Sequence, residues 1–148
     1  MPSTHLSLNF HVIFSTRDRM PEIASDWRAD LHAFLGGCIR EVGGQPLTIG
    51  GIADHVHLLM RLRATHCLAD VVRDIKAGSS RWVHEHLRRP TFAWQDGYAG
   101  LTVSPSGIPS VFAYIGRQEA HHRKKTFQEE YVEFLRKSGI EYDDRYLW

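Results

Sequence analysis

The sequence predicts an α+β fold of the ferredoxin-like split βαβ type: an antiparallel sheet with helices on one face, followed by a C-terminal helix that bears a tyrosine. The order of elements is the first reason, since strand, helix, strand, strand, helix, strand is the order of that sheet. The second is a pair of long segments whose apolar residues recur at helical spacing. The third is size: 148 residues, 43% hydrophobic and 24% charged, suit one domain with a modest core. A single domain over residues 1–148 is expected, with residues 105–109 as a linker to the tyrosine helix.

Each element has a local justification. A strand is expected over about residues 6–15, followed by a loop holding Arg17, Arg19 and Pro21. A helix follows over about residues 25–42. Trp27, Leu31, Phe34, Leu35, Cys38, Ile39 and Val42 form its apolar stripe, Ser25 is placed to cap it and Gly43-Gly44 to end it. Two strands, about 46–52 and 55–63, pair as a hairpin around Ala53-Asp54, with Gly50-Gly51 marking a bulge or close packing. The second helix spans about residues 68–87, with Leu68, Val71, Val72, Ile75, Ser79, Trp82 and Val83 inward, and Arg88-Arg89-Pro90 stops it. A strand near 99–104 leads through the turn-rich Pro105-Ser106-Gly107-Ile108-Pro109 to the tyrosine helix, which is expected to stand apart from the core. A last helix over about 128–138 ends at Gly139, and a tail with Tyr142, Tyr146 and Trp148 closes the chain.

The chemistry is concentrated in two short stretches. In an extended chain, residues i and i+2 share a face, so His55 and His57 in Asp54-His55-Val56-His57-Leu58-Leu59 open onto one cavity. Two converging imidazoles are half a metal site. Ten histidines in 148 residues would yield roughly 0.7 such triplets by chance, and there is a second one. His84 and His86 fall in a helical segment, where i and i+2 lie about 200° apart and cannot share a ligand. Tyr114 and Gln118 are four residues apart at helical spacing, so a phenol and an amide present together. Gln118 offers a neutral carbonyl oxygen as third ligand, and two imidazoles plus one oxygen suit Mg²⁺ or Mn²⁺ on a phosphate. Tyr114 is then the nucleophile of a metal-assisted phosphoryl transfer. Each residue also has an ordinary reading: His55 and His57 as core histidines, Tyr114 as a packing aromatic, Gln118 as helix surface. His121 and His122 point about 100° apart, so at most one faces the site, as a phosphate or supporting contact. Trp82 and Trp94 could stack bases but are more often core, and Asp54 suits a turn hydrogen bond.

Composition excludes some classes. No apolar run approaches the roughly 18 residues of a membrane span, and no signal-peptide pattern opens the chain, so a cytoplasmic protein without a membrane partner is expected. Cys38 and Cys67 lack a Cys-x-x-Cys arrangement and read as buried, reduced thiols. A net charge of +1 does not announce a nucleic-acid binder, so the positions of the cations must carry that argument. Arg17 and Arg19 follow the first strand, Lys76 and Arg81 lie on the second helix, and Arg117, Arg123, Lys124 and Lys125 crowd the tyrosine segment. Their recurrence beside the candidate site favours phosphate contacts over plain solvated faces.

The chain resembles the single-tyrosine HUH transposases of small bacterial insertion sequences, the IS200/605-like group, and their domesticated relatives associated with repeated palindromes. The resemblance runs from Asn9-Phe10-His11-Val12-Ile13-Phe14-Ser15 through the Asp54 to Leu59 strand and Ile75-Lys76-Ala77-Gly78-Ser79-Ser80. It continues through Trp94-Gln95-Asp96-Gly97-Tyr98, Val103-Ser104-Pro105-Ser106 and Tyr114-Ile115-Gly116-Arg117-Gln118-Glu119-Ala120-His121-His122. It implies that His55, His57 and Gln118 bind the metal and that Tyr114 attacks hairpin-marked single-stranded DNA, leaving a 5′-phosphotyrosine and a free 3′-OH. It also implies a homodimer in which the tyrosine helix of one subunit can serve the other. Two other readings stay open: a domesticated hairpin nickase, and a non-catalytic nucleic-acid-binding module.

Overall fold

The computed structural model describes residues 3–147. Strand β1 (Asn9–Ser15) is followed by helix α1 (Arg28–Glu41), strands β2 (Gln45–Ile52) and β3 (His55–Arg61), helix α2 (Leu68–His86) and strand β4 (Ala99–Thr102). The four strands form one antiparallel sheet in the order β2-β3-β1-β4, as the element order predicts. Three further helices, α3 (Ile108–Gly116), α4 (Gln118–His122) and α5 (Phe127–Lys137), complete the chain. A 3-10 turn at Asp144–Tyr146 forms the tail; Trp148 lies outside the described residues.

Residue parity on the two central strands separates two interiors. Val12, Phe14, Val56, Leu58 and Met60 face α1 and α2, where they meet Leu31, Leu35, Ile39, Val72, Ile75 and Val83. The opposite face, in which His57 pairs with Ile13 and His55 with Ser15, is covered by α5. Phe127, Tyr131 and Leu135 of α5 pack there with Ile13 and Ala99. The first and second helices therefore lie on one face as expected, and a third closes the other.

Local differences have local causes. Helix α1 begins at Arg28 without a side-chain cap; the buried Trp27, not Ser25, occupies the cap position. Its other end is as expected: Gly43 adopts φ +89°, its N–H donates to Arg40 and that of Gly44 to Ile39, the paired bonds of a glycine-terminated helix. The register shift in β2 falls between Pro46 and Thr48 rather than at the glycines. Gly50 serves close packing instead, because a Cβ there would sit 2.4 Å from the Ile115 carbonyl oxygen. Helix α3 thus rests on β2 and buries Ile115, so the tyrosine helix does not stand apart from the core. Pro105–Gly107 form a 3-10 turn capped by Ser104 that runs directly into α3. Cys38 is partly buried, but Cys67 is exposed, because at the cap position ahead of α2 it borders the open groove between α1 and α2.

Candidate metal and nucleophile site

His55 and His57 occupy the centre of the sheet with no exposed surface. Each ring is oriented from behind. Nδ1 of His55 lies 2.8 Å from the Asp54 carboxylate, and Nδ1 of His57 lies 2.8 Å from Nε2 of His11 on β1. Both rings therefore aim Nε2 at the space beneath α3, α4 and α5. Asp54 makes this contact from the hairpin turn, a supporting role for a ligand-type histidine.

Tyr114 and Gln118 do arrive together, though not on one continuous helix. The backbone leaves helical geometry at Arg117 (φ −110°, ψ 24°), which separates α3 from α4. Gln118 is buried, its Oε1 lying 3.0 Å from Nε2 of His55 and 3.0 Å from Nε2 of His122. The Tyr114 ring stands edge-on to that of His57 in the same chain, centroids 5.7 Å apart.

The centre of the site is a residue that the sequence reading did not single out. Glu130 of α5 is 1% exposed and accepts a hydrogen bond from the Tyr114 hydroxyl at 2.6 Å. Its carboxylate lies 2.7 Å from Nε2 of His57, 2.7 Å from Nε2 of His122 and 3.0 Å from Nε2 of His121. The signal was present: positions 127, 130, 131, 134 and 135 trace one helix face, and Glu130 is the acid in that otherwise apolar stripe. Beside Glu129 it reads as an ordinary first-turn charge. His11 was equally legible as the imidazole on the Ile13 face of β1.

The electrostatics follow from burial and this clustering. Burial brings the His57 pKa down to about 4 despite the neighbouring carboxylate, and burial and His57 bring that of His11 down to about 3. Burial alone would raise Glu130, but His122 and His57 hold its carboxylate well below the usual range. Burial and the bond to Glu130 push the Tyr114 phenol well above its ordinary value. His57 and His11 thus stay neutral beside an ionised carboxylate, which, against the effect of burial, raises the pKa of His122, and the phenol keeps its proton.

These donors suit a cation. His55, His57, His122 and Glu130 each present one ligand atom, all within 4.8 Å of one another. Nε2 of His57 and Oε1 of Glu130 are close but out of line for a hydrogen bond, so each buried atom lacks one among the described residues. Orphaned buried polar atoms of this kind call for a partner.

The expected cationic residues divide. Arg117, Lys124 and Lys125 line, with Tyr114, Ala120 and His121, a cleft of about 470 Å³ beside the phenol. Arg123 borders a neighbouring groove with Arg28, His32 and Gln118. Arg17 and Arg19 form a 3-10 turn just after β1, whose last residue pairs with His55. Lys76 is drawn inward: its ammonium donates to the Gln95 and Gly97 carbonyls at 2.8 and 2.6 Å and lies over the Phe14 ring. Arg81 lines the groove between α1 and α2, across the sheet from the site. Trp94 is core, its indole donating to Ser79; Trp82 stacks on Phe34 in the α1–α2 groove.

Known proteins resemble this chain in sequence and fold. The family model for IS200-like transposases matches residues 4–118. The ISDra2 transposase TnpA of Deinococcus radiodurans is 25% identical over 124 residues, which cover 80% of this chain and 86% of that protein. A crystal structure of a transposase from D. radiodurans R1 superposes with a TM-score of 0.63 at 24% identity, over 80% of this chain and 96% of the other. A REP-associated tyrosine transposase, solved bound to a REP hairpin, superposes with a TM-score of 0.60 at 12% identity, over 82% of this chain and 74% of the other. The protein is of the transposase class, which cuts and joins DNA. Within that class, the chain belongs to the IS200-like transposase family.

Proposed function

We propose that the protein cleaves and rejoins single-stranded DNA at hairpin-marked ends, with Tyr114 as nucleophile. The observation that carries this reading is the convergence of a buried histidine pair, an amide oxygen and a tyrosine hydroxyl in one cluster, with His57 and Tyr114 ring centroids 5.7 Å apart. His55, His57 and Gln118 would hold the divalent cation, Mg²⁺ or Mn²⁺, which when bound supplies polarisation of the scissile phosphate. The Tyr114 oxygen attacks phosphorus, a P–O bond to the phenol forms, and the bond to the 3′ oxygen breaks. The phenol gives up its proton and the departing 3′ oxygen takes one up. The product is a 5′-phosphotyrosine and a free 3′-OH, and attack by another 3′-OH reverses the step, so no energy cofactor is needed.

Arg117, Lys124 and Lys125 flank the cleft in which the phenol lies and are placed to bind strand phosphates. A hairpin substrate is supported by the fold shared with a transposase solved on a REP hairpin. Among the described residues no helix is long and apolar enough to cross a membrane. The trans arrangement in a homodimer is tested by mixing Tyr114→Phe with His57→Ala protein: recovered activity supports it, and none in verified heterodimers removes it. The single chain brings its own Tyr114 to its own His57, the cis arrangement of the tyrosine.

The reading is tested with 5′- and 3′-labelled hairpin oligonucleotides from the genomic flanks, Mg²⁺ or Mn²⁺, and denaturing gels. A metal-dependent covalent adduct on the 5′-phosphate side, lost in Tyr114→Phe, is the expected result. Binding without any cleavage under these conditions would favour a non-catalytic binding module.

A further inference from the structure

We infer that the metal centre extends beyond the two strand histidines and Gln118, and that Glu130 and His122 are ligands to it. The inference rests on the reading of His55 and His57 as metal ligands and adds two residues from the segment that follows the family match, which ends at residue 118.

Three observations carry it. The first is ring orientation. His122 repeats the arrangement of the strand pair, its Nδ1 tied outward, 2.6 Å from the Lys125 carbonyl oxygen. A carbonyl only accepts, so the ring proton stays on Nδ1 and Nε2 is the atom left for a cation. Three imidazoles are thus held from behind, by Asp54, His11 and Lys125, with Nε2 turned to one point. Backing of this sort is the usual company of a metal-bound histidine. His121 differs: a quarter of its side chain is exposed, and its Nε2 lies 3.1 Å from the Tyr114 hydroxyl.

The second observation is where oxygen gathers. Nε2 of His122 lies 2.7 Å from the Glu130 carboxylate and 3.0 Å from Oε1 of Gln118, two acceptors converging on one nitrogen. Nε2 of His55 faces the same Gln118 oxygen at 3.0 Å and the Glu130 carboxylate at 3.7 Å. Such an assembly needs positive charge among its members, and a divalent cation meets that need for every one of them together. The third is the orphaned pair. Nε2 of His57 and Oε1 of Glu130 are both buried and 2.7 Å apart without a hydrogen bond between them. Two ligands of one ion stand about 3 Å apart or slightly more, so a shift of a few tenths of an ångström lets both atoms point at a metal rather than at each other.

The chemistry of the set then favours certain ions. Imidazole nitrogens with a carboxylate favour Mn²⁺, Co²⁺ or Zn²⁺ over Mg²⁺, which prefers oxygen and retained water. Glu130 would also tie the ion to the nucleophile, because its other oxygen accepts the Tyr114 hydrogen bond at 2.6 Å.

The test is Mn²⁺ binding to the full chain without DNA, by calorimetry, with electron spin-echo spectroscopy counting coupled histidine nitrogens. The wild type should show three coupled imidazoles and bind Mn²⁺ at least about tenfold more tightly than Mg²⁺. Glu130→Gln and His122→Asn should each weaken Mn²⁺ by about tenfold or more, and His122→Asn should reduce the count to two. Two imidazoles in the wild type, or wild-type affinity in both variants, overturns the inference. His57→Ala separates the two levels. Its loss of binding with Glu130→Gln and His122→Asn unaffected sinks the wider ligand set alone, whereas undiminished Mn²⁺ binding in His57→Ala sinks the metal site itself. The wild-type count needs no variant to fold.

Discussion

Tyr114 is held as a protonated phenol by burial and by a carboxylate that also faces His57, His121 and His122, so the proposed attack and metal binding meet at one side chain. Replacing Tyr114 by Phe should abolish the covalent DNA adduct while leaving the thermal midpoint nearly unchanged, because the ring keeps its place edge-on to His57. His32, outside the site, adds to the acid sensitivity that the lowered pKa values of His11 and His57 confer. His32 lies in the groove beside Arg28, and burial together with that cation brings its pKa down to about 4. The unfolded chain takes up a proton near pH 6.5 that the native state refuses until about pH 4. Its contribution to stability is therefore complete above pH 6.5 and lost as pH falls through that window. His32→Gln should flatten the decline in melting temperature between pH 6.5 and 4.5. A decline as steep as the wild type's would assign the acid sensitivity elsewhere.

Two elements deliver Tyr114 and Glu130, and each depends on one small feature. Helix α3 reaches β2 only because Gly50 has no side chain; a Cβ there would meet backbone, not a flexible tip. Gly50→Ala should cost about 1–3 kcal/mol in denaturant unfolding and, by displacing the turn that carries Tyr114, lower adduct formation out of proportion to stability. Helix α5 starts at Thr126, whose hydroxyl accepts from the Glu129 N–H at 3.2 Å and approaches the Glu129 carboxylate at 3.1 Å. This Thr-x-x-Glu box fixes the first turn, one residue before Glu130. Thr126→Ala should lower stability by about 1 kcal/mol, measurable as a shift in urea midpoint. Both signals were readable in the sequence: the glycine pair marked a close approach, and the Thr126 to Glu129 spacing is a helix start. The partner of Gly50 was not, since Ile115 lies 65 positions further along the chain.

Viewed as one body, the protein divides its cations between two sides. The cleft beside Tyr114 is rimmed by Arg117, Lys124 and Lys125, whereas Lys76 is bonded to loop carbonyls and Arg81 lies beyond the sheet. Single-strand binding should weaken with salt by a slope of about −0.7 per phosphate neutralised. Lys124→Ala should reduce that slope by about that amount with stability intact. Lys76→Met should instead lower the melting temperature and leave the slope alone. Equal slopes in wild type and Lys124→Ala would remove the cleft from the DNA path.

The sheet, its order and the helices on its first face were legible because their signals are local: period-two strands, i,i+4 stripes and glycine stops act within a few residues. The His55–His57 pair and the Tyr114–Gln118 spacing were legible for the same reason. What only the tertiary structure decided is which distant residues share the space between them. Glu130 reads in the chain as one of two acids in a helix's first turn; it becomes the hub of the site because α5 folds across the open face of the sheet, driven by Phe127, Tyr131 and Leu135 packing on Ile13 and Ala99. Lys76 likewise reads as a free cation until folding sets it against the Gln95 and Gly97 carbonyls. Hydrophobic burial brings these elements together without regard to their separation in the chain, and the polar contacts it creates have no pattern along the sequence.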